Sequence, residues 1–178
     1  MRNPRQFFIE GVDRMGKSTV IDGILNELGY YLVVHSSKPK RLRCYEAGPQ
    51  PLFEYQHSAY HNLFDMVSSD VKVIFDRAHL GEMVYAPLYR GYDGSYVLEM
   101  EAAANTRNSR LVLLTTSDFS FVKDDGLSLD FSKKEEEQAV FVEAFNASTI
   151  KDKVLVDVSN GNGGYKTADQ ILCEVLKK

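Results

Sequence analysis

"GVDRMGKST", residues 11–19, decides how the rest of this sequence is interpreted. A glycine, four residues and then Gly-Lys-Ser form the frame of a phosphate-binding loop. The stretch follows a short apolar segment at 6–10 and opens a segment with apolar residues at helical spacing, 17–29. Glycines let several backbone N–H groups converge on one anion, and the N-terminus of a helix adds partial positive charge. The stretch therefore predicts a phosphate site between a strand and a helix.

The outer residues of this loop are expected to hold a nucleotide and its metal ion. Lys17 can reach the β- and γ-phosphates, and the Ser18 hydroxyl can bind Mg²⁺. ATP as phosphoryl donor and Mg²⁺ are therefore the expected cofactors. The expected contacts to ATP are Gly11, Met15, Gly16, Lys17, Ser18 and Thr19.

The middle of the loop carries an acid and a base, which a site for phosphate alone does not require. Asp13 is repelled by a bound triphosphate unless it faces another group. Arg14 can supply positive charge where a phosphoryl group is transferred. We therefore expect Arg14 to meet the donor phosphates and Asp13 a hydroxyl of an acceptor, which favours a kinase over a simple ATPase.

The bulk composition fits one globular domain over residues 1–178. The net charge of −4 gives no basic face for duplex DNA, so no nucleic-acid partner is expected. Two distant cysteines form no disulfide framework and fit a reducing compartment. The sequence shows no signal peptide and no run of membrane-spanning length, so we expect a cytoplasmic protein without a membrane partner.

Strand-like and helix-like segments alternate along the chain. Such alternation, with strands apolar on both faces, predicts an α/β fold in three layers: a five-stranded parallel sheet with helices on both faces. The site is expected at the carboxyl ends of the strands. The predicted strands are 6–10, 30–35, 71–75, 110–116 and 153–158.

A second acid–base pair follows the third predicted strand. Asp76 stands where the second carboxylate of a phosphate-loop fold lies near Mg²⁺. Arg77 follows at the sheet edge, where its guanidinium can clamp a phosphate through two hydrogen bonds. The pair predicts a metal ligand beside an acceptor-phosphate residue.

Both motifs resemble those of thymidylate kinases. Residues 10–19 resemble the family's loop, Glu-Gly-x-Asp-[Gly/Arg]-x-Gly-Lys-Ser-Thr, and residues from Asp76 resemble Asp-Arg-Tyr-x-x-Ser-x-x-Ala-Tyr. The resemblance implies that Asp13 contacts the sugar 3′-hydroxyl, that Arg77 holds the acceptor phosphate, and that Tyr85 crowds the sugar 2′ position. It also implies a P-loop kinase fold and a homodimer.

The sequence departs from the family pattern at three positions, one of which is Val84 in place of the alanine before Tyr85. Ala78 replaces the tyrosine and Gly81 replaces the serine, which alters the wall around the acceptor. The segment 79–91 is also similar to phage-encoded thymidylate kinase-like proteins, which implies the host cytoplasm. His79 and Glu82 either read a base or are solvated or helix-capping residues.

The family places arginine either in the loop or in a mobile lid. The expected lid, at about 118–132, contains no arginine, which agrees with the presence of Arg14 in the loop. In "SKPKR" a partial match to the family's Phe-Pro-x-Arg makes Arg41 a candidate for the acceptor phosphate, with Arg43 as the substitute.

The predicted helix at 50–67 is expected to wall the base pocket. Its aromatic stripe is more typical of a core than of a stacking surface, but Phe53 and Tyr60 are candidates to contact the base. His57 and His61 are four residues apart and are more simply a surface pair than a metal site. The charged run at 133–137 is expected to be a solvated helix start.

Together these features predict ATP- and Mg²⁺-dependent phosphorylation of a deoxynucleoside 5′-monophosphate, and the resemblance implies dTMP to dTDP. A deoxynucleoside kinase needs a carboxylate base near the 5′-hydroxyl, and after the second strand Glu46 alone is a candidate. A broad deoxynucleoside monophosphate kinase is a second alternative. The alternative from another class is a P-loop switch module that binds a nucleotide without transferring phosphate.

Overall fold

The structure, a computed structural model, describes residues 3–36, 48–124 and 130–177. Its five described strands form one parallel sheet in the order β2-β3-β1-β4-β5. The strands are β1 (Gln6–Glu10), β2 (Leu32–His35), β3 (Val73–Asp76), β4 (Ser109–Thr115) and β5 (Asp152–Asp157). The predicted α/β class and parallel sheet are confirmed.

The order of the strands in the sheet follows their burial, which is greater for the central strands than for the edge strand β2. Every residue of β1 and β4 is buried, and the apolar residues of β3 are buried as well. The edge strand β2 is mostly exposed, with Leu32 at 50% and Val33 at 40%. Central position therefore goes to the segments without a polar face, as expected for parallel strands covered on both sides.

Helices cover both faces of the sheet. The first helix packs against the last, and the helix after β3 packs against the helix after the predicted lid. The α-helices are α1 (Lys17–Leu28), α2 (Pro49–Ser68), α3 (Leu80–Tyr85), α4 (Ala102–Asn105), α5 (Lys134–Ala147) and α6 (Ala168–Leu176).

The described residues also include three helical segments that are not α-helical. Ala86–Arg90 forms a π-helical turn directly after α3, where Pro87 predicts a break in the helix. Ser95–Glu101 and Phe131–Lys133 are 3₁₀ helices. No helix in the described parts of the chain has the length and apolar character needed to cross a bilayer.

The topology brings the two motifs of the sequence together. Ile9 of β1 is paired in register with Asp76 of β3, so the phosphate loop and the Asp76-Arg77 pair leave neighbouring strands at the same edge. This is the carboxyl edge, where parallel α/β sheets place their ligands.

Candidate active site

The frame glycines of the phosphate loop have backbone reasons to be glycine. Gly11 has φ 134°, and a Cβ there would lie 2.4 Å from the carbonyl oxygen of Leu114. Gly16 has φ 78° and caps the N-terminus of α1. Both values belong to the left-handed region that L side chains rarely adopt, so the loop's path depends on these two residues.

Lys17 is folded against its own loop. Its Nζ donates to the carbonyl oxygens of Gly11 and Val12, each at 2.8 Å, and the side chain is buried. Burial, reinforced by the charge of Arg77, lowers the pKa of Lys17 from 10.5 to about 8. The ammonium group of Lys17 thus lies against the backbone of the loop, close to where phosphates bind in this type of site.

The remaining loop residues divide into a buried one and exposed ones. Met15 is fully buried in the core, so its backbone and not its side chain faces the loop's concave side. Ser18 and Thr19 are exposed in the first turn of α1. Their hydroxyls are therefore accessible to a ligand at the helix N-terminus.

Asp13 lies between two cations from other elements. Its Oδ1 accepts a hydrogen bond of 2.6 Å from Nη2 of Arg77, and its Oδ2 lies 3.7 Å from Nζ of Lys134. Arg77 has the left-handed φ of 63°, and its backbone N–H donates to Ile9. The acid in the phosphate loop therefore faces away from the loop, towards the arginine that follows β3.

Arg14 connects the loop to two later segments. Its backbone is left-handed, with φ 73°, and its Nε donates to the carbonyl of Lys123 at 3.4 Å. Its own carbonyl accepts a 2.8 Å hydrogen bond from the Tyr165 hydroxyl. The ring of Tyr165 in turn meets Phe121 edge-on at 4.5 Å. The start of the predicted lid and the loop after β5 thus both hold the phosphate loop.

Asp76 ends β3 and forms a contact across the sheet edge. Its Oδ2 is 2.8 Å from Nδ1 of His35, at the end of β2. The Asp76 carboxylate and the Ser18 hydroxyl are hard oxygen ligands at one edge of the sheet, which suits Mg²⁺. The described residues include no cluster of three or more metal-ligating side chains. Mg²⁺ bound with phosphates commonly uses one or two protein oxygens, so this set fits the ion.

A cavity of about 760 Å³ opens beside the loop and gathers five of the predicted residues. Polar groups at the sheet edge form one part of its wall and the apolar side of α2 forms another. The predicted site residues that line it are Asp13, Arg14, Tyr60, Arg77 and Tyr85.

The small residues at 78 and 81 also line this cavity. Ala78 is buried, and a Cβ at Gly81 would meet the ring of Tyr85 at 3.6 Å, an ordinary contact distance. The packing of α3 therefore leaves room for a small side chain at Gly81, whereas Ala78 is enclosed by the core.

Two of the residues predicted to contact the acceptor, Phe53 and Arg41, are not placed in the cavity. Phe53 packs edge-on against Tyr92 and Tyr96, with ring centroids 5.6 and 5.2 Å away. It does not line the cavity, and its contact with a base stays a prediction. Arg41, together with its substitute Arg43, lies outside the described residues.

The charged run at 133–137 was predicted to be a solvated helix start, which is wrong for Lys134 and Glu137. These two residues were therefore missed as candidates for the site. Both side chains are buried, and Lys134 Nζ lies 2.9 Å from Glu137 Oε2. Glu137 also accepts a 2.7 Å hydrogen bond from the Tyr89 hydroxyl. Both residues line the cavity. Their spacing of three, continued by the buried Phe141, was the signal for an inward helix face.

Glu82 is fully buried, so a solvated role is wrong for this residue. Its carboxylate forms an ion pair with Arg90 and accepts hydrogen bonds from Tyr92 at 2.5 Å and Tyr96 at 3.1 Å. Burial and this carboxylate raise the pKa of Tyr92 above its ordinary value. Arg90, which the sequence did not single out, lines the cavity as the cation that Glu82 holds.

His79 is likewise fully buried and is not solvated. Its Nε2 is 2.7 Å from Oε1 of Glu101, which also accepts hydrogen bonds from Ser148 and Thr149. Burial opposes ionisation of Glu101, but the hydrogen bonds from His79 and its other donors outweigh it and lower the pKa. The pair ties α3 to the end of α5.

The histidine pair on α2 forms a ring contact. The rings of His57 and His61 lie 4.5 Å apart, and His57 also packs against Tyr96. No cluster of three or more candidate metal ligands occurs within 3–36, 48–124 and 130–177, so nothing there supplies this pair with further ligands.

Comparison with protein-family models finds no match, and no curated protein is significantly similar to the chain. Solved structures do match. YorR from Bacillus subtilis, in complex with phosphorylated GDP, superposes with a TM-score of 0.64 and 20% identity, over 97% of this chain and 93% of that one. Polyphosphate kinase 2 from Arthrobacter aurescens TC1 gives 0.56 and 12%, over 97% of this chain and 67% of that one.

Deoxyadenosine kinase from M. mycoides, with bound dCTP, matches with a TM-score of 0.47 and 17% identity, over 93% of this chain and 94% of that one. At such identities similarity concerns architecture. The superpositions with YorR and polyphosphate kinase 2, together with the phosphate loop, agree with the three-layer α/β fold of P-loop kinases.

Proposed function

We propose that the protein transfers the γ-phosphoryl group of ATP, with Mg²⁺, to a deoxynucleoside 5′-monophosphate, and that dTMP is its acceptor. One observation carries this proposal. The acid inside the phosphate loop, Asp13, is bonded at 2.6 Å to Arg77, and both residues line the cavity beside the loop. A site that binds ATP alone does not need this contact between the phosphate loop and the residue after β3. A site for two substrates must bring the two places of binding together.

The wall of the cavity supports an anionic acceptor. Arg14, Arg77, Arg90 and Lys134 all line it. Arg77 is paired with Asp13, and Lys134 lies between Asp13 and Glu137. The wall thus presents these four cations against two lining carboxylates, so an acceptor phosphate that approaches it meets a net positive charge. A nucleoside acceptor has no such charge to neutralise, which favours a monophosphate.

Catalysis in this proposal is positioning and charge neutralisation. Lys17 and Arg14 neutralise the donor and the group in transfer, while Arg77 aligns the acceptor phosphate and Asp13 receives the sugar 3′-hydroxyl. Ser18 and Asp76 would hold Mg²⁺, which would supply positive charge against the donor phosphates. The lid expected at 118–132 stays a prediction, and its residues 125–129 lie outside the described part of the chain. Such a lid would exclude the water that otherwise hydrolyses ATP.

The choice of dTMP rests on the resemblance of the two motifs to thymidylate kinases. A specific observation favours a second candidate, a kinase that accepts several deoxynucleoside monophosphates. Ala78 and Gly81 stand at the cavity wall where the family pattern has a tyrosine and a serine, and the space that they leave can hold a larger base.

The deciding experiment is an ADP-release assay with ATP and Mg²⁺ against the four deoxynucleoside monophosphates, dUMP, ribothymidine monophosphate and thymidine. Turnover of dTMP and dUMP alone supports the thymidylate kinase, and turnover of several monophosphates supports the broad enzyme. Turnover of thymidine alone overturns the monophosphate acceptor. ATP hydrolysis that needs no acceptor would instead support the switch module.

A further inference from the structure

The loop after β5 is a compact hairpin that holds Tyr165 beside the phosphate loop. Ser159 and Tyr165 form an isolated antiparallel bridge, and the backbone N–H of Asn160 donates to the carbonyl of Gly164 at 2.9 Å. The side chain of Asn160 closes the same turn, because its Nδ2 donates to the carbonyl of Tyr165 at 3.2 Å. The backbone of Tyr165 is therefore fixed by contacts within its own loop.

The hydroxyl of Tyr165 reaches a strained position of the phosphate loop. It donates to the carbonyl of Arg14 at 2.8 Å, and Arg14 has the left-handed φ of 73°. This backbone conformation is unfavourable for a residue with a Cβ, and it persists where neighbouring groups hold it in place. The hydrogen bond from Tyr165 is one such constraint, and it comes from a segment 151 residues away in the sequence.

The same hydrogen bond fixes the direction of the next peptide group. The peptide bond between Arg14 and Met15 is trans, so its carbonyl and its N–H point in opposite directions. Because the carbonyl is held towards Tyr165, the N–H of Met15 is directed away from that side chain. Phosphate loops bind an anion through backbone N–H groups that converge on it, so the direction of each peptide group matters.

We propose that Tyr165 is a positioning residue whose hydroxyl holds the Arg14–Met15 peptide in the orientation that binds the donor phosphates. This inference deepens the proposed function and rests on its assignment of ATP to the loop. Without the hydroxyl the strained peptide can rotate, and a carbonyl oxygen that turns towards the phosphates repels them. Tyr165 acts here through the backbone of the loop and needs no contact with the nucleotide.

The ring of Tyr165 makes a contact that is separate from the hydrogen bond of its hydroxyl. It meets the ring of Phe121 edge-on, with the two centroids 4.5 Å apart. A phenylalanine at position 165 keeps this ring contact and loses the hydrogen bond to Arg14. The substitution Tyr165→Phe therefore tests the proposed orientation of the peptide and leaves the packing of the ring in place.

The test measures the affinity of the wild-type protein and of Tyr165→Phe for ATP and for tripolyphosphate, by displacement of a fluorescent ATP analogue. We expect the Kd of both anions to rise roughly three- to tenfold in the variant, because a donor to the phosphates is no longer held in place. The KM for the monophosphate acceptor should stay within about twofold of wild type. A general loosening of the site would raise this KM as well.

Tyr31→Phe is the matched control for the loss of a hydroxyl. The Tyr31 hydroxyl also donates to a backbone carbonyl, that of Pro4 at 2.7 Å, but the two residues precede β2 and β1 and lie at the amino edge of the sheet. This variant should bind ATP and tripolyphosphate as the wild-type protein does, whatever its melting temperature. A rise in Kd confined to Tyr165→Phe therefore separates positioning from stability.

The outcomes distinguish the inference from the proposed function. If Tyr165→Phe binds both anions with wild-type affinity, the inference is wrong and the function stands. A loss of affinity for ATP without a loss for tripolyphosphate also overturns it, because Tyr165 would then act on the base. If the wild-type protein binds ATP but phosphorylates no monophosphate, the proposed acceptor is wrong, and a rise in both Kd values still supports the inference. If the wild-type protein binds neither anion, both are wrong.

Discussion

A hydrogen bond between Glu10 and Leu80 connects β1, the strand beneath the phosphate loop, to α3, which lines the cavity. Glu10 ends β1 and is fully enclosed, and its Oε1 accepts a 2.8 Å hydrogen bond from the backbone N–H of Leu80, the first residue of α3. Burial raises the pKa of this carboxyl group. The orientation of Tyr85, five residues further along, therefore depends on a side chain at the base of the phosphate loop.

Removal of this contact should loosen both halves of the site. For Glu10→Ala we expect a loss of roughly 1–3 kcal/mol in the free energy of unfolding, because the Leu80 N–H stays buried without a partner. Glu10→Gln, which keeps an acceptor oxygen, should lose less. Urea unfolding followed by circular dichroism measures both, and equal losses in the two variants would contradict a role in hydrogen bonding.

The binding of ATP should be coupled to protonation of Lys17. Its pKa of about 8 means that the free protein holds the charged form below pH 8 and loses it above. Phosphates favour the charged form, so ATP affinity should be level below pH 8 and fall as the pH rises beyond it, with uptake of a proton. Calorimetry in buffers of different ionisation enthalpy measures that uptake. Lys17→Met should abolish it, and unchanged wild-type affinity up to pH 9 would rule out the coupling.

Arg77 should act on the acceptor more than on the donor. Arg77→Lys keeps the charge but cannot form two parallel hydrogen bonds to a phosphate, so the KM for the monophosphate should rise roughly 10- to 100-fold while that for ATP changes little. Steady-state kinetics with each substrate varied in turn gives both values. Arg107→Lys, in an exposed pair with Asp70, is the matched control and should change neither. A rise confined to the KM for ATP would place Arg77 on the donor side.

Filling the space at Gly81 should narrow the range of acceptors. A serine there places its Cβ at an ordinary 3.6 Å from Tyr85, so Gly81→Ser should fold with an unchanged or slightly higher melting temperature. The kcat/KM for dGMP relative to dTMP should fall in this variant. A stable Gly81→Ser protein with the wild-type ratio would show that position 81 does not limit the size of the base.

The buried pair of His79 and Glu101 should stabilise the fold at neutral pH and lose its effect in acid. The pKa of Glu101 is lowered in the folded protein, so its contribution is complete above the ordinary value of 4.5 and disappears as the pH falls through the folded value. Glu101→Ala should cost roughly 3 kcal/mol at pH 7, because it leaves His79 buried without a partner. Urea unfolding at pH 7 and at pH 3 tests this, and an equal cost at both would contradict the ionised form.

Much of the fold was predictable because its signals are local. β1 was predicted with its observed bounds, since a short apolar run directly before a glycine loop admits few alternatives. The predicted 30–35 strand begins at Leu32, because Tyr30, although aromatic, is 98% exposed. The Asp76-Arg77 pair was found because strand and motif are continuous in the sequence.

The missed residues are those whose partners are distant in the sequence. Lys134 meets Asp13, and Arg90 is positioned by a carboxylate that looks like an ordinary helix residue. The burial of Gln56 on α2 could not be predicted from the sequence, since a glutamine in an amphipathic helix is usually exposed. Burial of a polar group depends on the assembled sheet and helices, and no short stretch of sequence contains that information.

The strand order also constrains how the molecule can be made. β1 leaves the ribosome before its two neighbours, yet Gln6 pairs with Val73 on one side and with Ser109 on the other. A nascent chain must therefore carry the apolar "FFI" of β1 unpaired until β3 and β4 have been synthesised. The strand that supports the phosphate loop is thus the segment most in need of protection from aggregation during translation.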